Sequence, residues 1–260
     1  MFNNRDTVIV GYPGRLARAF ATQWPEARHV GRTDFDIMDR SSTVQSIVDL
    51  QPKLVINCAA LTDIARCERE PDLAWAVNVR GVRHLAEACR RVDATLVHFS
   101  SDYALDPVNE YGWTKRASES LAHLTIRAKI YDGSHWAWVA LRQGQPIRML
   151  MTEFLNPISI SSVTSITEQI LLHQLRGLVA VGTLERLSFW QVGRVWAEAL
   201  DVDPDLVQPI DSMEFSFPRL NEMFLDTTPL MAIGISMPRL FEDALQHRKW
   251  YFSLVGNEVL

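Results

Sequence analysis

Tyr111 and Lys115 stand four positions apart, and Ser101 precedes the tyrosine by ten. On a helix that spacing puts a phenol and an ammonium on one face, about one turn from each other. A free phenol titrates near 10, too high for efficient proton donation at neutral pH. A neighbouring ammonium stabilises the phenolate and lowers that value. A hydroxyl such as Ser101, delivered from a strand end, would hold the same oxygen. Together the three suit hydride transfer to or from a carbonyl, provided that a nicotinamide lies alongside. The bland alternative is a surface pair on an ordinary helix, so the elements upstream decide.

Those elements supply a dinucleotide pattern. Thr7–Val10 is a β-branched run that stops at Gly11-Tyr12-Pro13-Gly14-Arg15-Leu16-Ala17 and opens into a helical pattern. A strand ending in a glycine turn before a helix presents free backbone N–H groups to a pyrophosphate. Gly11 permits the turn, Gly14 allows close approach, and Ala17 suffices for packing. The second strand, 27–30, ends at Gly31-Arg32. An acidic residue there would bind the ribose hydroxyls of NAD, whereas the guanidinium of Arg32 suits a 2′-phosphate, so NADPH is expected and NADH is the alternative. Ser41 is expected to cap the next helix. Leu54–Asn57 runs into Cys58-Ala59-Ala60-Leu61-Thr62, whose small residues leave room for the cofactor. Residues 71–91 read as one long helix, with Asn78 making a structural hydrogen bond to a neighbouring loop. The strand 94–99 delivers Ser100-Ser101-Asp102-Tyr103. Every candidate then collects at the carboxyl edge of one sheet.

Bulk composition narrows the class. The 260 residues are 47% hydrophobic and 22% charged, as in soluble globular proteins. The formal net charge of −5, with no dominant basic stretch, argues against a nucleic-acid partner. Cys58, Cys67 and Cys89 are odd in number and lack Cys-x-x-Cys spacing, pointing to a reducing cytoplasm. No signal core or apolar 18-residue window stands out, so neither secretion nor membrane insertion is expected. The histidines lack metal-ligand spacing, and no metal is assigned.

The order of motifs resembles the extended short-chain dehydrogenase/reductases, most closely the dTDP-4-dehydrorhamnose reductase branch. The residues concerned are Gly11-x-x-Gly14-x-Leu16, Asp36-Ile37-x-Asp39, Val55 to Ala60 with Thr62, Glu70-Pro71 and Ala76-Val77-Asn78. Ser100 to Tyr103, Tyr111-Gly112-x-x-Lys115, Asn156-Pro157-Ile158, Phe217-Pro218-Arg219 and Leu225-Asp226-Thr227 follow. The resemblance implies an α/β fold with a doubly wound parallel sheet and a small C-terminal lobe. The dinucleotide domain is expected over 1–150, its sheet completed by later segments, and the substrate lobe mainly over 151–260. It also implies a nicotinamide cofactor, contacted by Asp36 and Ile37 among others, and a 4-keto nucleotide sugar as substrate. Carried over by motif, Ser101 holds the carbonyl, Tyr111 gives the proton, Lys115 lowers its pKa and binds the nicotinamide ribose, and Asp102 and Tyr103 face the substrate. A homodimer is compatible with it.

Two departures qualify this. The family usually carries a longer insert between the serine and the tyrosine. Its Arg-x-x-Trp-Val-Tyr-Gly strand reads Arg127-Ala128-Lys129-Ile130-Tyr131-Asp132-Gly133, with Ile130 where a pocket aromatic is expected. A related dehydrogenase or epimerase acting on another small carbonyl compound is therefore a second reading, and a catalytically silent nucleotide-binding subunit a third. In the C-terminal third, helices are expected over 163–176 and 189–200. Met213, Phe215, Phe217 and Met223 read as the core of a small lobe more readily than as a pocket.

Overall fold

Apolar runs covered on both faces form the central strands of a parallel sheet. Val8, Ile9 and Val10 are buried in β1 (Thr7–Tyr12), and Leu54, Val55 and Ile56 in β3 (Leu54–Asn57). In the computed structural model, which describes residues 4–255, the chain forms two compact units. The first takes in the chain up to Arg127, with Thr167–Val179 and Ser216–Arg219. The second takes in Ala128–Ile166, Ala180–Phe215 and the chain from Leu220. The chain first leaves the first unit at Arg127, close to the end of a sheet strand. Residues 256–260, the last of the expected substrate lobe, lie outside the described residues.

In the first unit β1 is followed by α1 (Arg15–Gln23), β2 (Arg28–Gly31), α2 (Arg40–Leu50) and β3. Then come α3 (Ile64–Arg69), α4 (Pro71–Trp75), α5 (Val82–Arg91), β4 (Thr95–Ser100), α6 (Glu110–Ser118) and β5 (Leu124–Ala128). The sheet order is Gly177–Val181, β5, β4, β3, β1, β2. The pairs β2·β1, β1·β3, β3·β4 and β4·β5 are parallel. The chain begins in the middle, goes to one side for β2 and returns to the other for β3. A doubly wound sheet of this kind has its switch point between β1 and β3, where ligands bind beyond the strand ends.

Two local expectations change. Asp39, not Ser41, caps α2, its carboxylate accepting from Ser42 N–H at 3.1 Å; Ser41 already lies inside the helix. Residues 71–91 are not one regular helix, because a π-helical stretch, Ala76–Gly81, separates α4 from α5.

The second unit is built around rings. Tyr131 and Trp196 have centroids 4.9 Å apart, Trp138 and Trp196 5.9 Å, and Tyr131 meets His247 edge-on at 5.6 Å. The helix Phe189–Leu200 starts with a capping box between Ser188 and Gln191. The helix expected over 163–176 runs instead over Ile160–Leu172. Met223 is buried, but Met213 and Phe215 are exposed, so only part of the expected apolar segment is core.

Candidate functional site

A cleft of about 250 Å³ lies beyond the carboxyl ends of β1 and β3. Gly11, Tyr12 and Gly14 line it from the first turn, Arg32, Asp36 and Ile37 from the segment after β2, and Cys58, Ala59 and Ala60 from that after β3. Pro13, Arg15, Leu16 and Thr62, also expected there, are not part of the lining, whereas Gly31, Phe35 and Val77 are. Phe35 and Val77 read as ordinary core positions, so their side chains gave no signal of a ligand.

The turn is shaped for a close-lying group. Gly11 has φ +104, and a Cβ there would stand 2.7 Å from Ala59 N, so any other residue would push the two segments apart. Gly14 caps α1 without a side chain, so no capping group stands between the helix N-terminus and an anion. Arg32 is exposed and makes no ion pair among the described residues. Its acidic neighbours are turned to the backbone: Asp34 accepts from Gly31 N–H at 2.8 Å and Asp36 from Met38 N–H at 2.9 Å. A free guanidinium with occupied carboxylates fits a phosphorylated ribose better than a bare one. The residues present fit a nicotinamide dinucleotide phosphate.

Ser101, Tyr111 and Lys115 are brought together at the next strand end. Asn109 caps α6 by accepting from Gly112 N–H at 2.8 Å. A Cβ on Gly112 would stand 2.6 Å from Tyr103 O, so glycine lets α6 lie directly on the short helical turn Asp102–Ala104. Ser101 Oγ donates to Asp102 Oδ1 at 2.6 Å, and the serine lies close enough to Tyr111 to act on its phenol. Asp102 and Tyr103, expected to face a substrate, are buried, and Tyr103 packs edge-on against Tyr111 at 5.9 Å. In this structure they hold the serine and the tyrosine.

The electrostatics differ from the simple expectation. Lys115 Nζ donates to Phe99 O at 2.8 Å and lies 6.0 Å from the Tyr111 ring centroid. Burial pushes the Tyr111 phenol above its ordinary value, Ser101 works against this, and Asp102 adds to it. The ammonium does not offset that burial. Lys115 is itself pushed down to about 8 by burial.

Asn78 behaves as expected. Its Oδ1 accepts from Leu61 N–H at 2.8 Å, and its Nδ2 donates to Leu61 O and to Thr114 Oγ1, each at 3.0 Å. It ties the Cys58–Thr62 segment to α6 from the π-helical stretch, a place where such irregularities often serve a site. Sequence reading passed over Glu119, one turn beyond Lys115. It accepts from Ser100 Oγ at 2.7 Å and pairs in a buried fork with Arg127.

A family model described as the RmlD substrate binding domain matches residues 5–252. The chain belongs to that family. Among relatives, the dTDP-4-dehydrorhamnose reductase of Streptomyces griseus is 40% identical over 35% of this chain and 34% of that protein. That of Mycolicibacterium smegmatis is 28% identical over 92% of this chain and 83% of its own length. The match thus spans about a third of the first relative and most of the second. Among solved structures, a dTDP-4-dehydrorhamnose reductase from Clostridium acetobutylicum has a TM-score of 0.85 at 22% identity, covering 94% of this chain and 99% of its own. The Bacillus anthracis reductase in complex with NADP has a TM-score of 0.83 at 22% identity, covering 94% and 98%. At such identity these two structures show a shared fold. Several of the relatives that the chain matches are named as dTDP-4-dehydrorhamnose reductases.

Proposed function

We propose that this chain is an NADPH-dependent reductase of a nucleotide-linked 4-keto sugar. The observation that carries the reading is the gathering of Ser101, Tyr111 and, one helical turn beyond the tyrosine, Lys115 at the same sheet edge as the cleft. Relatives named as dTDP-4-dehydrorhamnose reductases support it. When bound, the nicotinamide supplies hydride to the carbonyl carbon. Gly11 and Gly14 admit the pyrophosphate, and Arg32 selects the 2′-phosphate. Ser101 holds the carbonyl oxygen while Tyr111 gives it a proton, and the Lys115 ammonium holds the nicotinamide ribose. Burial keeps the Tyr111 phenol protonated at neutral pH but makes it a weaker acid, so donation relies on the strong basicity that the carbonyl oxygen would gain on receiving hydride at its carbon. The first compact unit binds the dinucleotide, and the second supplies substrate recognition. The free cysteines fit a reducing cytoplasm. Among the described residues no helix is long and apolar enough to cross a membrane.

The short connection between Ser101 and Tyr111 favours a second reading of the same chemistry, with a different carbonyl compound as substrate. Titration with NADPH and NADH, followed by tryptophan fluorescence, and turnover of a panel of 4-keto nucleotide sugars test both. Tyr111→Phe is expected to lower kcat by about 10²–10⁴-fold, the usual worth of a positioned general acid, with NADPH affinity kept. Turnover that survives the substitution removes Tyr111 from the mechanism. If neither cofactor binds, the reductase reading falls and a nucleotide-free scaffold takes its place.

A further inference from the structure

Asn57 and His98 face each other in register on β3 and β4, each 1% exposed. They belong to a line of hydrogen bonds whose directions are fixed by its first member. Ala59 N–H can only donate, so Asn57 must turn Oδ1 towards it, at 3.0 Å. The amide nitrogen of Asn57 then meets His98 Nδ1 at 3.2 Å, and Nδ1 accepts. The ring proton therefore sits on Nε2 and donates to Ser118 Oγ at 3.1 Å. The Ser118 hydroxyl in turn donates to Lys115 O at 2.9 Å.

Both ends of the line reach working parts. Ala59 lines the cleft and is the residue against which Gly11 is fitted. Lys115 and Tyr111 share α6, which ends at Ser118. We propose that His98, neutral and protonated on Nε2, is a positioning residue that couples the Cys58–Ala60 side of the dinucleotide cleft to the helix carrying Tyr111 and Lys115. Its consequences for turnover rest on the reductase reading. A second ring proton would point at the amide nitrogen of Asn57, and turning that amide over would set donor against donor at Ala59. Burial and the nearby Lys115 charge also hold the ring well below its ordinary pKa. The imidazole is thus a fixed strut and not a titrating switch.

The two halves of the ring can be separated. His98→Asn keeps an acceptor where Nδ1 was and loses the donor to Ser118; His98→Gln keeps a donor in place of Nε2 and loses the acceptor. Losing one buried partner is worth about tenfold in an equilibrium or rate. In His98→Gln the Kd for NADPH should weaken about tenfold with kcat at saturating cofactor changed less than about threefold. In His98→Asn kcat should fall about tenfold with the Kd within about threefold of native. Ring-nitrogen NMR shifts of the native protein should show the Nε2–H tautomer, and hydrogen exchange at Ala59 N–H should speed up in the glutamine variant alone. An Nδ1–H tautomer, or variants that shift Kd and kcat by the same factors, overturns the coupling. If the native chain binds no NADPH, the reductase reading fails by itself, and the tautomer and the Ala59 exchange still decide the strut.

Discussion

Burying Lys115 strips its ammonium of water, and the Phe99 carbonyl returns only part of the lost solvation, so the pKa falls from 10.5 to about 8. Cys67, Glu119 and Cys58 pull the other way without restoring it. Between about 8 and 10.5 the unfolded chain binds the proton and the folded one does not. Fold stability therefore rises with pH across that window. Function follows the opposite course, because the charge that is to hold the ribose is lost above about 8. The Kd for NADPH should be flat from pH 6 to 7.5 and weaken above 8, approaching tenfold per pH unit. Lys115→Met should bind less tightly at neutral pH and show no inflection. Fluorescence titration of both proteins against pH checks this, and an inflection that survives in Lys115→Met assigns it to another group.

At the scale of elements, α6 is aligned by contacts of different legibility. The Asn109 cap and the Tyr111-Gly112-x-x-Lys115 spacing are local patterns, and both can be read along the chain. The role of Gly112 cannot, since it depends on Tyr103 O, a backbone atom from another turn. Strands β1, β3 and β4 were visible as buried apolar runs, and the glycine turn announced the cleft. The π-helical stretch around Asn78 was not legible, because the partners of Asn78 there, Leu61 and Thr114, are distant in sequence and no local pattern announces them. Nor was the burial of Asp102 and Tyr103, which follows from how closely α6 lies on their turn. The closeness itself is testable. Gly112→Ala places a methyl 2.6 Å from a carbonyl oxygen that cannot swing aside, so α6 must shift. The expected loss is about 1–3 kcal/mol of stability, by urea denaturation. A displacement near 1 Å at the proton donor costs about 10²-fold in kcat. NADPH affinity should also weaken, because Lys115 moves with α6, but by less than kcat, since the glycine turn and Arg32 stay in place. An alanine variant with native kcat would show that α6 has room to spare.

For the molecule as a whole, mild acid separates local from global electrostatics. The formal net charge is −5 at pH 7, so protonation on the way to pH 5 brings it nearer zero and self-repulsion eases. A loss of stability in that range must come from particular groups. His247 is fully buried among Tyr131, Trp138 and Trp250, with Nδ1 3.3 Å from Ser161 Oγ, and burial pushes its pKa from 6.5 down to about 4. Between those values the unfolded state carries a proton that the folded state refuses. Stability is therefore complete above about 6.5 and is lost as pH falls towards 4, by up to about 3 kcal/mol. His98 is depressed as well and acts in the same direction. Asp243, raised by burial despite bonds from Ser159, Ser162 and Tyr131, acts in the opposite one. Substituting His247 alone isolates its share, since His98 and Asp243 remain in the variant. Urea denaturation at pH 7 and pH 4.5 should show the native protein losing more stability than His247→Phe, by roughly 2–3 kcal/mol. Equal losses in the two proteins would mean that the histidine is protonated in the fold, and that the ring cluster of the second unit admits a charge.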